Sequence, residues 1–278
     1  MVRDLIRNAK EHLAKAGYPE VDAEILFAHL LGIERMQLHN PIALEKAMED
    51  IGDIAEDFHQ LINRRVSHEP LQYITGKAHF RSLELEVGPG VLVPRPESEL
   101  LVSFLLTEIG KQSGIVSVID LGAGSGALAL SLATECDRVR AIAVEQSAGA
   151  LIWLHRNVAK YAPDLRVVEA DVADALIGVK ADYVIANPPY VPNDQELPAD
   201  VRNEPHEALF GGVTGLEIPK RFIDSAARLL KAGGVLAIEH TETQGVVISE
   251  LLEEMFTNIK LHYDLNDRPR WTSAVRKK

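Results

Sequence analysis

From Val93 onward the chain repeatedly sets short apolar, β-branched runs against helical stretches, and that alternation restricts it to few folds. The runs lie at residues 116–121, 141–144, 167–168, 183–186 and 235–238. Parallel strands need a long crossover, usually a helix, and strands covered on both faces read as continuous apolar runs. The pattern therefore predicts an α/β domain built on a mostly parallel, doubly covered sheet. Two further strands, near 259–265 and 271–275, are separated by only a short turn. They must pair as a hairpin, which places an antiparallel strand in the edge region of the sheet.

Residues 2 to 68 read differently. Val2, Leu5, Ile6, Ala9 and Leu13 recur at helical spacing and stop at Ala16-Gly17. A second helix carries Val21, Ile25, Leu26, Ala28, His29 and Leu30 before Gly32, and two more are expected at 43–50 and 54–66. Between the two regions, Leu83, Leu85 and Val87 alternate with Ser82, Glu84 and Glu86, the period of a half-exposed strand. Residues 71–74 are expected as its partner, with the turn near Thr75-Gly76-Lys77. The expected organisation is a helical domain over 1–68, a β-hairpin linker over 69–92 and the α/β domain over 93–278.

Charge and composition narrow the function. The chain has 29 Lys and Arg against 41 Asp and Glu, a net charge of −12, which disfavours a broad nucleic-acid interface and leans toward a protein or small-molecule substrate. Cys136 is the single cysteine, so no disulfide can form within the chain, and a reducing cytoplasmic home is expected. No apolar run reaches the roughly 18–20 residues of a membrane span, and the N-terminus lacks the apolar core of a signal peptide. The ten histidines are scattered, and no metal site is expected.

The segment Val118-Ile119-Asp120-Leu121-Gly122-Ala123-Gly124-Ser125-Gly126 reads as a strand, a glycine turn and a helix start. Such a βα turn is the usual nucleotide site of an open α/β sheet, because glycines admit close backbone approach and the helix N-terminus offers free N–H groups. The spacing is G-x-G-x-G rather than the dinucleotide G-x-G-x-x-G. Asp120 would be unwelcome beside a pyrophosphate but suits a ligand bearing an amine and a sulfonium, as S-adenosylmethionine does. Glu145, at the tip of the next strand, is placed to accept hydrogen bonds from both ribose hydroxyls. Asp171 and Val172 are expected to flank the adenine, one as a polar partner and the other as an apolar wall.

After the strand at 183–186 comes Asn187-Pro188-Pro189-Tyr190, at the strand edge where open α/β sheets bind ligands. Two prolines fix φ and remove two N–H donors, leaving carbonyls that can face a pocket. An amide or aromatic amine nitrogen is a poor nucleophile because its lone pair is delocalised. Asn187 can accept one of its hydrogens and the Pro188 carbonyl the other, aiming the nitrogen at a methyl group, while Tyr190 packs its ring on the planar substrate. Catalysis would rest on positioning and charge stabilisation, with no strong general base.

With these residues identified, the chain resembles the bacterial peptide chain release factor glutamine-N5 methyltransferases over nearly its whole length. Ala16-Gly17-Tyr18-Pro19 with Asp22-Ala23-Glu24-Ile25-Leu26 is similar to that family's N-terminal domain. Glu69-Pro70-Leu71-Gln72-Tyr73-Ile74-Thr75-Gly76 and Val93-Pro94-Arg95-Pro96-Glu97-Ser98-Glu99 are similar to its linker and catalytic-domain entry. Val201-Arg202-Asn203-Glu204-Pro205 with Ala208-Leu209 matches the region after its Asn-Pro-Pro-Tyr turn.

The resemblance implies a class I methyltransferase fold, Rossmann-like with a seven-stranded, mostly parallel sheet, behind a helical substrate-recognition domain. It implies S-adenosylmethionine as cofactor, leaving as S-adenosylhomocysteine. The implied substrate is the glutamine of the Gly-Gly-Gln motif in class 1 release factors, with no direct nucleic-acid or membrane partner. By motif match Gly122, Ala123, Gly124, Ser125 and Gly126 bind the cofactor with Glu145 at the ribose, and Asn187, Pro188, Pro189 and Tyr190 hold the glutamine. The family more often carries Asp at Glu145 and an aromatic at Val172. Arg95 and Glu97 would line the substrate entrance, although Pro96 and Glu97 equally suit a helix start. A glutamine methyltransferase of a ribosomal protein and an adenine or cytosine N-methyltransferase share the catalytic turn. A nicotinamide-dependent dehydrogenase shares only the glycine loop.

Overall fold

The computed structural model describes residues 2–49 and 54–278, which form two compact units. The first unit runs up to Lys77 and includes Leu197–Asn203; the second holds Ala78–Glu196 and Glu204–Lys278.

The first unit is helical, with α1 (Val2–Lys15), α2 (Val21–Leu31), α3 (Pro41–Met48), α4 (Ile54–Val66) and α5 (Leu71–Thr75). The apolar stripes close on Leu13, Leu26, Phe27, Phe58 and Ile62, with the Phe27 and Phe58 rings edge to face at 4.9 Å. Asn40 caps α3 by accepting from the N–H groups of Ile42 and Ala43, and Pro41 supplies the first helical residue. The helix expected at 43–50 starts two residues earlier, and Asp50 lies outside the described residues.

A buried ion network pins this unit. Arg65 donates through Nε to Asp22 at 2.8 Å, through Nη1 to the Glu69 carbonyl at 3.0 Å and through Nη2 to Asp200 at 3.2 Å. Its guanidinium lies 3.8 Å from the Tyr18 ring centre. Asp200 belongs to the short segment that leaves the α/β unit after Glu196, so one guanidinium secures α2, α4 and that segment together.

Residues 71–74, expected as a strand, are helical instead. Pro70 opens α5 and Gly76, at φ 72°, closes it with a left-handed cap. Four residues, three of them apolar, carry no period that separates strand from helix, whereas proline before and glycine after are helix punctuation. The partner of β2 (Leu83–Glu86) is β1 (Lys77–Phe80), joined to it through Arg81 and Ser82. Asn157 ties β2 into the α/β unit by donating to the Glu86 and Ser125 carbonyls and accepting from the Glu86 N–H.

The α/β unit continues with α6 (Glu99–Gly110), β3 (Val116–Leu121), α7 (Ala127–Glu135), β4 (Val139–Glu145), α8 (Ala148–Tyr161), β5 (Arg166–Glu169) and β6 (Ala181–Ala186). It ends with β7 (Val191–Pro192), α9 (His206–Leu209), β8 (Phe210–Gly212), α10 (Glu217–Leu229), β9 (Leu230–Glu239), α11 (Gly245–Leu252), β10 (Phe256–Tyr263) and β11 (Pro269–Arg276). The main sheet has seven strands in the order β10-β11-β9-β6-β3-β4-β5. β11 runs antiparallel to both β9 and β10, as the short C-terminal turn requires. Val118, Ile119, Val184 and Ile185 are fully buried, so the central strands are covered on both faces. The two-residue strand β7 and its parallel partner β8 have no expectation in the sequence pattern. Among the described residues no helix is long and apolar enough to cross a membrane.

The chain runs outward from β3 through β4 to β5, then returns to the other side of β3 as β6. This reversal opens the crevice where doubly wound sheets bind ligands. Leu121 pairs with Val144 on one side and Ala186 on the other, and Ala186 pairs with Ile238. The next residues, Glu145, Gly122, Asn187 and Glu239, therefore stand in one row across four adjacent strands.

Arg65→Ala should lower the stability of the helical unit by about 3–5 kcal/mol, because it leaves Asp22 buried without its counter-charge. Urea unfolding followed by circular dichroism checks this, and the pair Asp22→Asn with Arg65→Met should recover part of the loss.

Candidate active site

A cavity of about 300 Å³ opens at this carboxyl edge, within the α/β unit. Its wall includes Gly122–Ser125, Glu145, Asp171, Val172, Asn187, Pro189 and Arg95.

The glycine loop is held from below. The N–H groups of Gly122 and Ala123 both donate to the Val144 carbonyl at 2.9 Å. Gly126 sits before α7 at φ 88°, and a Cβ there would come within 2.8 Å of Leu154, so both conformation and space require glycine.

Glu145 is buried and already well partnered. Its Oε2 accepts from the Gly124 N–H, and its Oε1 accepts from the N–H groups of Gln146 and Ser147, all at 2.8 Å. A carboxylate offers about four lone-pair positions, so about one remains toward the cavity rather than two.

Asp120, singled out as a cofactor ligand, is absent from the cavity wall. It is fully buried, and its Oδ2 accepts from the Ala129 N–H at 3.0 Å, satisfying an otherwise unpaired donor in the first turn of α7. Its Oδ1 has no hydrogen-bond partner among the described residues. Burial, with the Glu145 charge adding to it, pushes the carboxyl up to about 7.

Val172 is buried with Leu121 and Val144 and forms an apolar part of the wall. Asp171 also lines it, but its two oxygens lie 2.8 and 2.7 Å from Arg221 Nη2, and Oδ1 accepts from the Ala173 N–H. That N–H and the guanidinium hold its carboxyl below the usual range against the opposing effect of burial. Arg221, on α10, carries no motif and lies 50 residues away in sequence, so only the fold reveals it.

At the catalytic turn Asn187 lines the cavity, and its Nδ2 donates to Ser98 Oγ at 3.1 Å. Among the described residues no hydrogen bond reaches its Oδ1. Tyr190 does not line the cavity; its hydroxyl donates to Glu239 Oε1 at 3.1 Å, and burial beside that carboxyl raises the phenol well above its usual range. Pro188 lies behind the wall, which Pro189 reaches. Two glycines let the chain pass close to this turn: a Cβ at Gly211 would strike the Pro189 carbonyl, and one at Gly215 the Tyr190 carbonyl. Gln244 donates to the carbonyls of Tyr190 and Gly215 at 2.9 and 3.2 Å.

Arg95 is fixed by Glu204, which accepts from its Nη2 at 2.6 Å and from the Val93 N–H at 2.9 Å. Glu97 does not line the cavity; it falls in the 3₁₀ turn that leads into α6. The residue of that segment that reaches the catalytic turn is Ser98.

Residues 4–76 match the family model described as PrmC N-terminal domain, and residues 96–266 match the one described as Methyltransferase small domain. A release factor glutamine methyltransferase of Streptomyces coelicolor is 39% identical over 97% of this chain and 96% of its own length. One of Bifidobacterium longum is 40% identical over 88% and 89%. The chain belongs to the release factor glutamine methyltransferase family.

The fold is shared more widely. The T. Thermophilus 16S rRNA N2 G1207 methyltransferase, in complex with AdoMet and guanosine, superposes with a TM-score of 0.54 at 24% identity, covering 73% of this chain and 50% of its own. The hMettl16 catalytic domain gives 0.57 at 17% identity, covering 70% and 75%.

As in its family, the cofactor is S-adenosylmethionine, and the cavity fits it. The glycine backbone leaves room for close approach, Glu145 offers a carboxylate, and Val172 an apolar wall. Once ionised, Asp120 with its unpartnered oxygen would give the ground beneath the loop an affinity for positive charge.

The ligand-free protein keeps a proton on Asp120 that the unfolded chain, with its carboxyl near 3.8, releases. Stability should therefore fall as pH rises from about 4 to about 7, and cofactor affinity should rise over the approach to about 7 as Asp120 ionises. Asp120→Asn should flatten the affinity trend and roughly halve the stability trend, because Glu239, also raised to about 7, contributes the rest; slopes unchanged from the unmodified protein in thermal unfolding and cofactor titration would refute the assignment.

Proposed function

We propose that this chain transfers the methyl group of S-adenosylmethionine to the side-chain amide nitrogen of the glutamine in the Gly-Gly-Gln motif of class 1 peptide chain release factors. The observation that carries this reading is the Asn187 carboxamide on the cavity wall, with its nitrogen tied to Ser98 and its oxygen unengaged. Membership in the release factor glutamine methyltransferase family supports the choice of glutamine. The acidic surface and the helical unit support a protein partner met in the cytoplasm.

In this reading Asn187 Oδ1 accepts one hydrogen of the glutamine NH2 at the cavity wall, and the Pro188 carbonyl, which the ligand-free wall does not include, is assigned the other. Two acceptors on one nitrogen turn its lone pair out of conjugation and toward the cofactor pocket. The bound cofactor supplies an electrophilic methyl on a positively charged sulfur. The acceptors also stabilise the positive charge that grows on the nitrogen. A methylated cationic amide sheds its proton readily, so no strong base is required. Tyr190, off the cavity wall with its hydroxyl on Glu239, braces the turn rather than stacking on the amide. Gly122–Ser125 and Glu145 hold the cofactor while Gly126, off the wall, shapes the entry to α7; Val172 walls the adenine with Asp171 at its edge, and Arg95 stands at the substrate entrance.

Asn187→Ala should lower methyl transfer to a release factor by roughly 10²-fold or more while leaving S-adenosylhomocysteine affinity within about threefold. Parallel loss of both would count against Asn187 as the substrate acceptor. Replacing the acceptor glutamine of the release factor should abolish labelling by radioactive cofactor, and persistent labelling would move the target elsewhere.

A further inference from the structure

A carboxamide presents either its oxygen or its NH2 to a pocket, and a site that grips an amide NH2 needs the oxygen. Nothing in Asn187 itself makes that choice. We propose that Glu239, acting through Ser98, fixes the Asn187 carboxamide with its oxygen toward the cavity, making Glu239 and Ser98 positioning residues for the substrate amide. The inference rests on the reading of Asn187 as acceptor.

The direction of each hydrogen bond follows from the inventory of protons. An ionised carboxylate only accepts, while a hydroxyl has one hydrogen to give. Ser98 Oγ lies 2.5 Å from Glu239 Oε2, and Tyr190 donates to Glu239 Oε1. The hydrogen of Ser98 is therefore committed to Glu239, and its oxygen can only accept from its other neighbour. That neighbour is Asn187, 3.1 Å away, so the NH2 end must face Ser98 and Oδ1 must face away. A reversed amide would set two oxygens against each other with no hydrogen between them, at a position where Ser98 is 3% exposed and Glu239 2%.

The sheet supplies the placement. Ile238 is opposite Ala186, so Glu239 and Asn187 leave neighbouring strands at the same level, and Ser98 bridges them from the turn before α6. The arrangement accounts for a buried acid that touches neither cofactor loop nor cavity.

The surroundings of Glu239 make the device sensitive to pH. Burial and the nearby charge of Glu97 push its carboxyl up, the hydroxyls of Ser98 and Tyr190 and the Arg270 guanidinium pull it down, and it settles at about 7. Neighbouring His240 is kept from charging by burial, and its ring nitrogens engage Thr272 Oγ1 and the Thr241 carbonyl rather than Glu239. Below about 7 a protonated Glu239 becomes a donor. Ser98 is then free to turn its hydrogen toward Asn187, and the amide can reverse. Methyl transfer should accordingly increase as pH climbs through this region.

Two measurements test the proposal, one without any substrate. With 15N-asparagine labelling, the Asn187 side-chain NH2 signals, identified by their loss in Asn187→Ala, should titrate with a midpoint near 7 in the unmodified protein. They should cease to titrate in Glu239→Gln and should move in Ser98→Ala. In methylation of a release factor, Ser98→Ala should lower kcat roughly 10–100-fold with S-adenosylhomocysteine affinity within about threefold. Ser98→Thr, which keeps the hydroxyl, should restore much of that rate, and Glu239→Gln should lose the acid limb of the pH profile. Asn187 signals indifferent to both substitutions, or wild-type kcat in Ser98→Ala, would overturn the proposal. If the unmodified protein fails to methylate a release factor while the Asn187 signals behave as described, the proposed function fails and the positioning role stands.

Discussion

The site depends first on the register of four parallel strands. Hydrogen bonding between β4, β3, β6 and β9 leaves no freedom to slide one strand against another, because a slip of one residue would turn buried side chains to the wrong face. That register brings the ends of the strands level, so Glu145, Gly122, Asn187 and Glu239 emerge side by side. With strands about 4.8 Å apart, the row spans roughly 14 Å. Cofactor loop and catalytic turn need no separate device to meet, since both are continuations of neighbouring strands at the point where the winding reverses.

Three carboxyl groups at this edge show how environment divides labour among chemically similar side chains. Glu145 is surrounded by backbone N–H donors, two from the turn that follows it and one from Gly124 of the glycine loop. Asp120 is buried deeper, with one oxygen on the first turn of α7 and the other without a partner. Glu239 receives two hydroxyl hydrogens, from Ser98 and Tyr190. In the proposed reading the first binds the cofactor, the second supplies negative potential beneath the glycine loop once it ionises, and the third organises neighbouring side chains. In Asp120 and Glu239 the donated hydrogen bonds and the loss of water move the carboxyl's proton affinity in opposite directions.

Close backbone approach is the second constraint around the catalytic turn. Gly211 and Gly215 pass so near the carbonyls of Pro189 and Tyr190 that no side chain fits, and Gln244 donates to the last of these carbonyls. With two prolines restricting φ within the turn, this packing leaves Asn187 little freedom apart from its own torsions. The segment that follows the turn then runs to Leu197–Asn203, where Asp200 enters the ion network around Arg65 in the helical unit. The chain thus passes from the candidate catalytic turn directly into the unit matched by the PrmC N-terminal domain model.

Much of this was legible in the residues alone. Apolar runs separated by helical stretches dictate a parallel α/β sheet, because parallel strands cannot be joined by tight turns; the short C-terminal connection dictates the antiparallel pair β10–β11. The glycine loop and Asn187-Pro188-Pro189-Tyr190 carry their chemistry in local backbone requirements, which a sequence displays directly. Residues 71–74 show where local pattern runs out, since so short a run, three of its four residues apolar, fits a helix turn and a strand equally until its flanks are placed. What only the tertiary structure decided is which distant side chains complete the site. Ser98 meets Asn187 across 89 residues, Tyr190 meets Glu239 across 49, and Arg221 meets Asp171 across 50. Asp120, a ligand by its place before the loop, turns beneath α7 because the first turn of that helix needs an acceptor. Such pairings are set by strand order and register, which are global properties of the folded chain, whereas propensity, glycine freedom and proline geometry act over a few residues and so can be read in order along it.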